Sequence, residues 1–278
     1  EPDPNEAPTD LALDTATLAV GKNQHVGIVV GTLTLADPDG PAPPVTTAAL
    51  KIPKTGLVLH LDAGKIEGLD DGAVVTAWPD ASPAGNDADN TTDNPTWHAD
   101  GLNGKPVVRF DGNDLVWTTK DFRDVEEYTI VTVARYTGGD SERIISTRFY
   151  NWVFGFHAGH AGKWYAEGWI SNQAAADTDW HLHVGNINNK DQANFWRDGV
   201  QLATNSSGAN NSTYKPDVIQ LGGYSTGVET SKCEVAEVLL YDRVLDQGEL
   251  EAVQALLDAK YGFSTGNPPD KLWEFATG

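Results

Sequence analysis

Short runs of alternating apolar and polar residues recur along most of the chain, a pattern typical of β-strands. The predicted strands lie near residues 57–61, 74–78, 107–110, 128–136, 143–147, 152–157, 164–168, 180–185, 192–197, 201–204, 218–224 and 234–242. Asn, Asp, Gly and Ser separate these runs, and such residues favour turns. Many short strands with polar turns predict a sandwich or a barrel, in which one face of each strand is buried.

One segment near the C-terminal end follows a helical pattern instead. Asp246 is a candidate N-cap, and Glu249 stands where a capping box requires an acidic residue. The apolar stripe that follows consists of Leu250, Val253, Leu256 and Leu257. Lys260 suits the negative end of the helix dipole, and Gly262 follows as a stop. We expect this helix to pack on the outside of the sandwich.

The two ends of the chain differ from its body. Residues 1–44 begin with a Pro-rich stretch, continue with alternating apolar residues and end in a Pro cluster that predicts a stiff extended linker. Residues 264–278 form a Pro-rich tail that contains Trp273 and Phe275. We expect these two aromatic side chains to dock on a surface of this chain or of a neighbour.

Composition narrows the range of partners. The chain has 278 residues, of which 40% are hydrophobic, so it can build a sizeable core. Its formal charge of −21 argues against nucleic acid and anionic membranes as partners. No apolar run is long enough for a transmembrane helix. The chain contains no Met and its first residues lack a signal pattern, so we expect that any signal peptide has been removed.

Four stretches of the sequence resemble one family of β-sandwich domains. They are GLVLHLDAG (56–64) with VVTAWPDASPAGNDA (74–88), GLNGKPVVRFDGNDLV (101–116), ANFWRDGVQLAT (193–204) and EVAEVLLYDRVLDQGELEAVQALLDAKYG (234–262). By their order and spacing, residues 51–263 resemble the laminin-G-like, concanavalin-A-like domains of exported bacterial proteins. The resemblance implies an all-β, two-sheet antiparallel jelly-roll sandwich with one C-terminal amphipathic helix.

The N-terminal segment resembles a different family. NEAPTDLAL followed by VGTLTLADPDG is similar to the opening of a bacterial cadherin-like repeat over residues 1–40. Asp37 and Asp39 match part of that family's calcium site, whose other ligands would lie in segments that this sequence lacks. The repeat is too short to close its own sandwich, since small cores are marginal. The segment would therefore pack on the main domain, be disordered, or pair with strands of another subunit.

The sandwich resemblance also implies a calcium ion at the rim or on the convex side. The best-placed acids by resemblance are Asp62, Asp80, Asp111, Asp114 and Glu237. Calcium takes six to eight oxygen ligands, which such acids supply. The alternative is that these acids cap turns through hydrogen bonds to the backbone.

Aromatic residues cluster between residues 150 and 169, and sugar sites combine aromatic faces with polar edges. In a strand over 152–157, Trp152, Phe154 and Phe156 share one face, while Val153, Gly155 and His157 share the other. One set is expected in the core. The candidate ligand-binding residues are Trp152, His157, His160, Trp164 and Trp169. Core packing is the alternative for each aromatic residue.

Two histidines, His181 and His183, point the same way on a predicted strand, and with His157 or His160 they are candidates for a zinc site. The favoured alternative is structural, because WHLHV resembles a strand of the same sandwich family. Cys233 is the single cysteine, so no intramolecular disulfide forms, and we expect an inert thiol.

Catalytic patterns are weak. Retaining glycosidases need two carboxylates about 5 Å apart, and the hydrolases of this fold carry three acids along one strand. The nearest pairs here, Asp177 with Asp179 and Glu234 with Glu237, lack the third acid or the spacing. No Gly-x-Ser-x-Gly elbow occurs. We therefore expect no enzyme.

These features predict a non-catalytic extracellular or cell-surface domain that binds a polysaccharide or a surface glycoprotein, with calcium as a candidate ion. The main alternative is a structural subunit that self-assembles into a filament or matrix through residues 1–44 and the tail. A second alternative is a divergent polysaccharide-degrading enzyme.

Overall fold

The computed structural model describes residues 10–13, 33–36, 51–166, 168–189, 192–206 and 215–263. Internal contacts divide the chain into two units, Glu1–Lys51 and Ile52–Gly278. In the first unit, strands β1 (Asp10–Leu13) and β2 (Leu33–Ala36) form an antiparallel pair. The rest of the predicted cadherin-like segment and linker, and the whole predicted tail, lie outside the described residues.

The second unit is an all-β sandwich of two antiparallel sheets with one α-helix, as predicted. Its strands are β3 (Leu57–Asp62), β4 (Asn90–Thr92), β5 (Thr96–Leu102), β6 (Lys105–Asp111), β7 (Leu115–Asp121), β8 (Tyr128–Ser141), β9 (Ile145–Thr147), β10 (Trp152–His157), β11 (His160–Ala166), β12 (Trp169–Ala176), β13 (His181–Ile187), β14 (Ala193–Arg197), β15 (Val200–Ser206), β16 (Val218–Leu221) and β17 (Ser231–Tyr241). The seven-stranded sheet has the order β12-β11-β10-β9-β16-β7-β4. The eight-stranded sheet has the order β15-β14-β13-β8-β17-β6-β5, and β3 also pairs with β17.

The main core lies between the two sheets and is rich in aromatic side chains. Alternation in β10 places Trp152, Phe154 and Phe156 inside, where each is fully buried. Phe154 meets Trp164 and Phe195 edge to face, with centroids 5.2 and 5.3 Å apart. Such pairs add about 0.5–1.5 kcal/mol each beyond the burial of apolar area.

A second core lies between the eight-stranded sheet and helix α1 (Gln247–Tyr261). The predicted capping box between Asp246 and Glu249 is present, and Gly262 ends the helix in the left-handed conformation at φ 68°. Within the predicted stripe, Leu250, Val253 and Leu257 are buried, whereas Leu256 is only half-buried. We call the outer surface of this sheet, where α1 covers it, the helix face.

Some predicted strands differ from the structure. The segment at 74–78 contains only isolated bridges, from Val74 to Thr96 and from Trp78 to Ala88, because its two ends pair with different segments. Strands β4, β5, β7 and β12 were not predicted from the sequence. Thr, Asn and Gln residues interrupt the apolar alternation in β7 and β12, and this weakens the pattern that identifies a half-buried strand.

Candidate functional site

The outer surface of the seven-stranded sheet carries a continuous row of side chains across its strands. Pairing through β7, β16, β9, β10, β11 and β12 aligns this row, which consists of Trp117, Gln220, Ser146, Val153, Tyr165 and Trp169. The loop 222–229 between β16 and β17 folds onto its middle, where the Gly223 carbonyl accepts hydrogen bonds from Ser146 and Gln220. Those two side chains are fully buried, and the two ends of the row stay partly exposed. We call this surface the loop face.

At the β12 end of the row, Trp169 is 40% exposed. The rings of Tyr165 and His157 lie beside it, with centroids 5.2 and 5.7 Å from the indole centroid. Lys163 places Nζ 5.2 Å from the indole centroid and also donates a hydrogen bond to Asn172 Oδ1. We call Trp169, Tyr165 and His157 the aromatic platform. It combines exposed aromatic carbon with polar groups at its edge.

His157 connects the platform to a neighbouring ion pair. Its Nε2 lies 3.9 Å from Glu229 Oε2, and Arg143 Nε donates to the same carboxylate. The Arg143 guanidinium also packs over the Tyr224 ring, 4.3 Å from the centroid. Burial lowers the pKa of His157, and the charge of Arg143 lowers it further against the opposing effect of Glu229. The imidazole is therefore mainly neutral at pH 7, a form that both donates and accepts hydrogen bonds.

At the β7 end of the row, Arg148 packs over the Trp117 ring with the guanidinium carbon 3.9 Å from the centroid. Its Nη1 donates to Gln220 Oε1 at 2.9 Å and to the Ser225 carbonyl at 3.2 Å. Burial lowers the pKa of Arg148. Two hydrogen bonds and one ring contact thus fix the position of a half-buried guanidinium.

A shallow polar recess of about 500 Å³ adjoins the loop face. Its lining includes three carboxylates, from Asp140, Glu142 and Glu229. Because these charges have the same sign, the recess is suited to hydroxyl donors or cations and disfavours anions.

The structure separates the predicted ligand-binding residues. Trp152 and Trp164 are fully buried in the main core, so a ligand cannot reach them. The prediction that they bind a ligand is therefore wrong. His157 and Trp169 lie together on the aromatic platform. His160 lies at the β10–β11 turn, where Nδ1 is 2.7 Å from the Ala158 carbonyl.

Sequence reasoning missed Tyr165 and Lys163, which lie against Trp169. Both alternate with the core residue Trp164 along β11, so they point to the opposite side of the sheet. The alternation rule that separates the two faces of β10 also applies to β11, and it would have identified both residues.

Two of the predicted metal ligands, Asp62 and Glu237, come together with His60 under helix α1. Among the described residues, these three form the only group of at least three His, Cys, Asp or Glu side chains whose ligand atoms lie within 4.8 Å of one another. However, Lys260 places its ammonium 2.8 Å from Asp62 Oδ2 and 2.6 Å from Glu237 Oε2. The ammonium supplies the positive charge that a metal would supply.

Two further contacts of Glu237 complete this cluster, in which His60 Nδ1 is buried without a hydrogen-bond partner among the described residues. His60 Nε2 lies 2.6 Å from Glu237 Oε1, and the Tyr261 hydroxyl donates to Glu237 Oε2 at 2.7 Å. Burial alone would raise the pKa of Glu237, but the His60 hydrogen bond and the Lys260 charge lower it overall. Burial disfavours the charged form of Lys260, yet Glu237 and Asp62 raise its pKa. We call these five residues the charge cluster.

The other three predicted metal ligands lie elsewhere. The Asp80 carboxylate accepts hydrogen bonds from the backbone N–H groups of His60, Ser82 and Asn86 at 2.7–2.8 Å, as the turn-capping alternative predicts. Asp114 accepts from the Asp111 backbone at 2.7 Å, and burial together with the Asp111 charge raises its pKa to about 6. The five predicted ligands therefore do not form one calcium site.

His181 and His183 both face the sandwich interior. His181 lies 2.5 Å from Asp198 and 2.8 Å from Asp177. Burial opposes the charged form of His181, but the two carboxylates raise its pKa overall. His183 is fully buried, its Nε2 accepts from the Gly162 N–H at 3.2 Å, and burial lowers its pKa well below the usual value. Both side chains thus make contacts within the sandwich.

The acids considered for catalysis are engaged in other contacts. Glu234 is fully buried between Arg109 and Arg135, each with a guanidinium nitrogen within 2.7 Å of its carboxylate. Asp177 pairs with His181. Cys233 is fully buried, and burial raises the pKa of its thiol well above the usual value.

No helix within the described ranges has the length and apolarity that a membrane crossing requires. No protein-family model matches the chain, and no curated protein sequence matches it. The comparison with solved structures does find similar folds. Domain 4 of AbnA, a GH43 extracellular arabinanase from Geobacillus stearothermophilus in complex with arabinotriose, matches with a TM-score of 0.50 and 12% identity, over 73% of this chain and 100% of that chain.

Two other matches are more distant. The binding domain of Paraclostridial Mosquitocidal Protein 1 gives a TM-score of 0.49 and 14% identity, over 74% of this chain and 52% of that chain. A Trypanosoma rangeli sialidase gives a TM-score of 0.46 and 15% identity, over 84% of this chain and 36% of that chain. This chain thus spans about a third of the sialidase. At such low identity the likeness concerns the fold alone, and the fold is an all-β sandwich of two antiparallel sheets.

Proposed function

We propose that this protein is a non-catalytic, extracellular carbohydrate-binding domain that holds a polysaccharide or a surface glycoprotein on its loop face. The observation that carries the proposal is the aromatic platform, where Trp169 remains 40% exposed although Tyr165 and His157 lie against it. Aromatic faces bind the C–H faces of sugar rings, and polar groups beside them bind hydroxyls.

The surroundings of the platform fit such a ligand. Lys163, Asn172 and the neutral imidazole of His157 supply donors and acceptors around one exposed ring. The chain also shares its fold with an arabinanase domain solved with arabinotriose, at a TM-score of 0.50. The absence of catalysis is part of the proposal and is supported by the ion pairs that engage Glu234 and Glu237.

Substituting Trp169→Ala tests the proposal. We expect affinity for the bound glycan, first identified on a glycan array, to fall at least about tenfold, equivalent to roughly 1.4 kcal/mol. Isothermal titration calorimetry measures this loss. The matched control is Val200→Ala, which truncates another exposed apolar side chain, 63% accessible, on the opposite sheet. Equal affinity of wild type and Trp169→Ala, or equal losses in both variants, would disprove the platform as the site.

Calcium binding stays a prediction, independent of the platform. Asp111 and Asp114 lie outside the charge cluster and next to each other, but two carboxylates are fewer oxygen ligands than calcium takes. An ion bound to the native state raises stability by mass action. Removal of calcium by a chelator should therefore lower the melting temperature, and an unchanged value would argue against a structural ion.

Self-assembly through residues 1–44 and the tail depends on segments that lie mostly outside the described residues. No observation on the described residues favours it over glycan binding.

A further inference from the structure

The seven arginines of the chain differ in their counterions. Six of them have a guanidinium nitrogen within 4 Å of a carboxylate, namely Arg109, Arg123, Arg135, Arg143, Arg197 and Arg243. Arg148 has no such partner among the described residues, although it is half-buried on the loop face. In a protein with a formal charge of −21, an arginine without a carboxylate partner is unexpected on electrostatic grounds.

The contacts of Arg148 leave one specific edge of the guanidinium unused. Its Nη1 group donates to Gln220 and to Ser225, which accounts for both hydrogens of that nitrogen. Nε–H and the Nη2 group make no hydrogen bond to the described part of the chain. This is the edge that binds a carboxylate or a similar oxyanion in bidentate fashion. Arg135 uses the same edge for an acid, since its Nε and Nη2 both lie 2.7 Å from one carboxylate oxygen, Glu234 Oε2.

The acid next to Arg148 along this surface does not serve as its counterion. Asp217 is fully buried, and its carboxylate accepts hydrogen bonds from the backbone N–H groups of Arg148, Phe149 and Tyr150. Burial raises the pKa of Asp217, although these hydrogen bonds oppose the rise. The protein therefore fixes the guanidinium without neutralising it.

Arg148 lies on the same surface as the aromatic platform. Trp117, under its guanidinium, and Trp169 stand at opposite ends of the cross-strand row. Five strand spacings of about 4.8 Å separate β7 from β12, which gives about 24 Å. A polysaccharide that contacts both ends must span this distance and pass over the loop 222–229, which covers the middle of the row.

We propose that Arg148, supported by Trp117, is an oxyanion subsite for an acidic polysaccharide, which binds the carboxylate of a uronic acid or a sulfate ester. This inference rests on the proposed function, because it names the class of glycan that the loop face selects. The overall negative charge opposes the approach of such polymers, but salt screens it beyond about 8 Å at physiological ionic strength. The bidentate contact provides selectivity at short range.

The first experiment probes the subsite with free ions and does not depend on polysaccharide binding. Sodium glucuronate and sodium sulfate are titrated into the full chain while the arginine Nε–H signals are followed by NMR. We expect the Arg148 signal to shift and saturate, while that of Arg123, whose Nε donates to Asp121, stays in place. Sodium chloride at equal ionic strength controls for salt. An Arg148 signal that does not respond to either ion overturns the inference.

The second experiment uses polymers and distinguishes the two sources of the oxyanion. Binding is measured to a non-sulfated polyuronate, to a sulfated polysaccharide without carboxylates and to a neutral polysaccharide. We expect Arg148→Gln to lose at least about tenfold in affinity for the anionic class that binds, and to keep its affinity for any neutral glycan. Arg148→Lys should lose part of that affinity, because it keeps the charge but not the fork. Arg123→Gln removes the same charge from a carboxylate-paired arginine and should change affinity less than about twofold.

The outcomes separate the two proposals. Equal losses in Arg148→Gln and Arg123→Gln indicate a general charge effect and overturn the subsite. Wild-type binding to neutral glycans only, lost in Trp169→Ala, supports the proposed function and also overturns the subsite. A saturating Arg148 response to the free ions without binding to any polymer supports an oxyanion site and contradicts the proposed glycan function. Thermal melting of each variant verifies that it is folded.

Discussion

The two outer faces of the sandwich differ in how their buried charged side chains are paired. On the helix face, Glu237 and Asp62 are buried and share the ammonium of Lys260. On the loop face, Arg148 is half-buried without a carboxylate partner among the described residues, and Trp169 remains 40% exposed. The covering element therefore determines whether the charged side chains of a sheet face find a partner of opposite charge.

The difference follows from what each covering element contributes. Strand β17 pairs with β6 up to Val235 and with β3 from Glu237 onward, and a bulge lies between these two residues. The last turn of helix α1 places Lys260 and Tyr261 over this point. Bulges re-aim side chains, and here Glu237 meets both residues. At Arg148 the loop 222–229 contributes the Ser225 carbonyl, whereas its one carboxylate, that of Glu229, pairs with Arg143. Carbonyl oxygens position a guanidinium but do not neutralise it.

The largest effect on stability is expected from Lys260→Met, which removes the ammonium from the charge cluster on the helix face. The substitution keeps most of the side-chain volume but leaves Glu237 and Asp62 without their shared cation. Removing one partner of a buried ion pair costs about 3–5 kcal/mol. Urea denaturation measures the free energy of unfolding, and Lys65→Met, an exposed lysine near the same strand, is the control. If the two variants were equally stable, the charge cluster would not hold α1 on the sheet.

The stability of the same variant should also depend on pH. In the wild type the pKa of Glu237 lies below its usual value of 4.5, so its stabilising contribution is present above that pH and is lost as the pH falls through the folded-state pKa. Without the ammonium, His60 is left to oppose the effect of burial, so that pKa should rise. The stability deficit of Lys260→Met should therefore be larger at pH 7 than at pH 4, by at least about 1.4 kcal/mol, which corresponds to one pKa unit.

Unfolding by urea at several pH values between 4 and 7 measures that deficit, and the deficit of Lys65→Met should stay constant. A deficit of Lys260→Met that is equally large at pH 4 would mean that lost packing, and not the unpaired carboxylate, destabilises the variant.

Local patterns in the sequence predicted much of the fold. Alternation over 152–157 separated the core residues Trp152, Phe154 and Phe156 from His157, and the capping box fixed the start of α1. Both are short-range features, because they depend on the pleat of one strand or on the first turn of one helix.

The candidate site depended on longer-range structure. Trp164 and Trp169 are both tryptophans of one aromatic stretch, yet only the pairing of β11 with β12 shows that one is buried and the other exposed. The absence of a carboxylate partner for Arg148 among the described residues depends on every element that packs near it, so no local pattern reveals it. The same holds for Lys260, whose contact with Asp62 requires the helix to dock on the sheet.

The smallest expected effect is a difference in the free energy of unfolding between two variants, each of which changes one arginine on one face. Arg109 on the eight-stranded sheet has Nε 2.7 Å from Glu234 Oε1, and Glu234 is fully buried. Arg109→Gln should therefore cost about 1–3 kcal/mol, because it leaves a buried carboxylate with one fewer charged partner. Arg148→Gln removes a ring contact and two hydrogen bonds but deprives no carboxylate of the described residues of its partner, so it should cost less than about 1 kcal/mol. Urea denaturation of both variants at pH 7 gives the two values. A cost for Arg148→Gln as large as that for Arg109→Gln would show that the guanidinium of Arg148 serves the fold, and the contrast between the two faces would not hold.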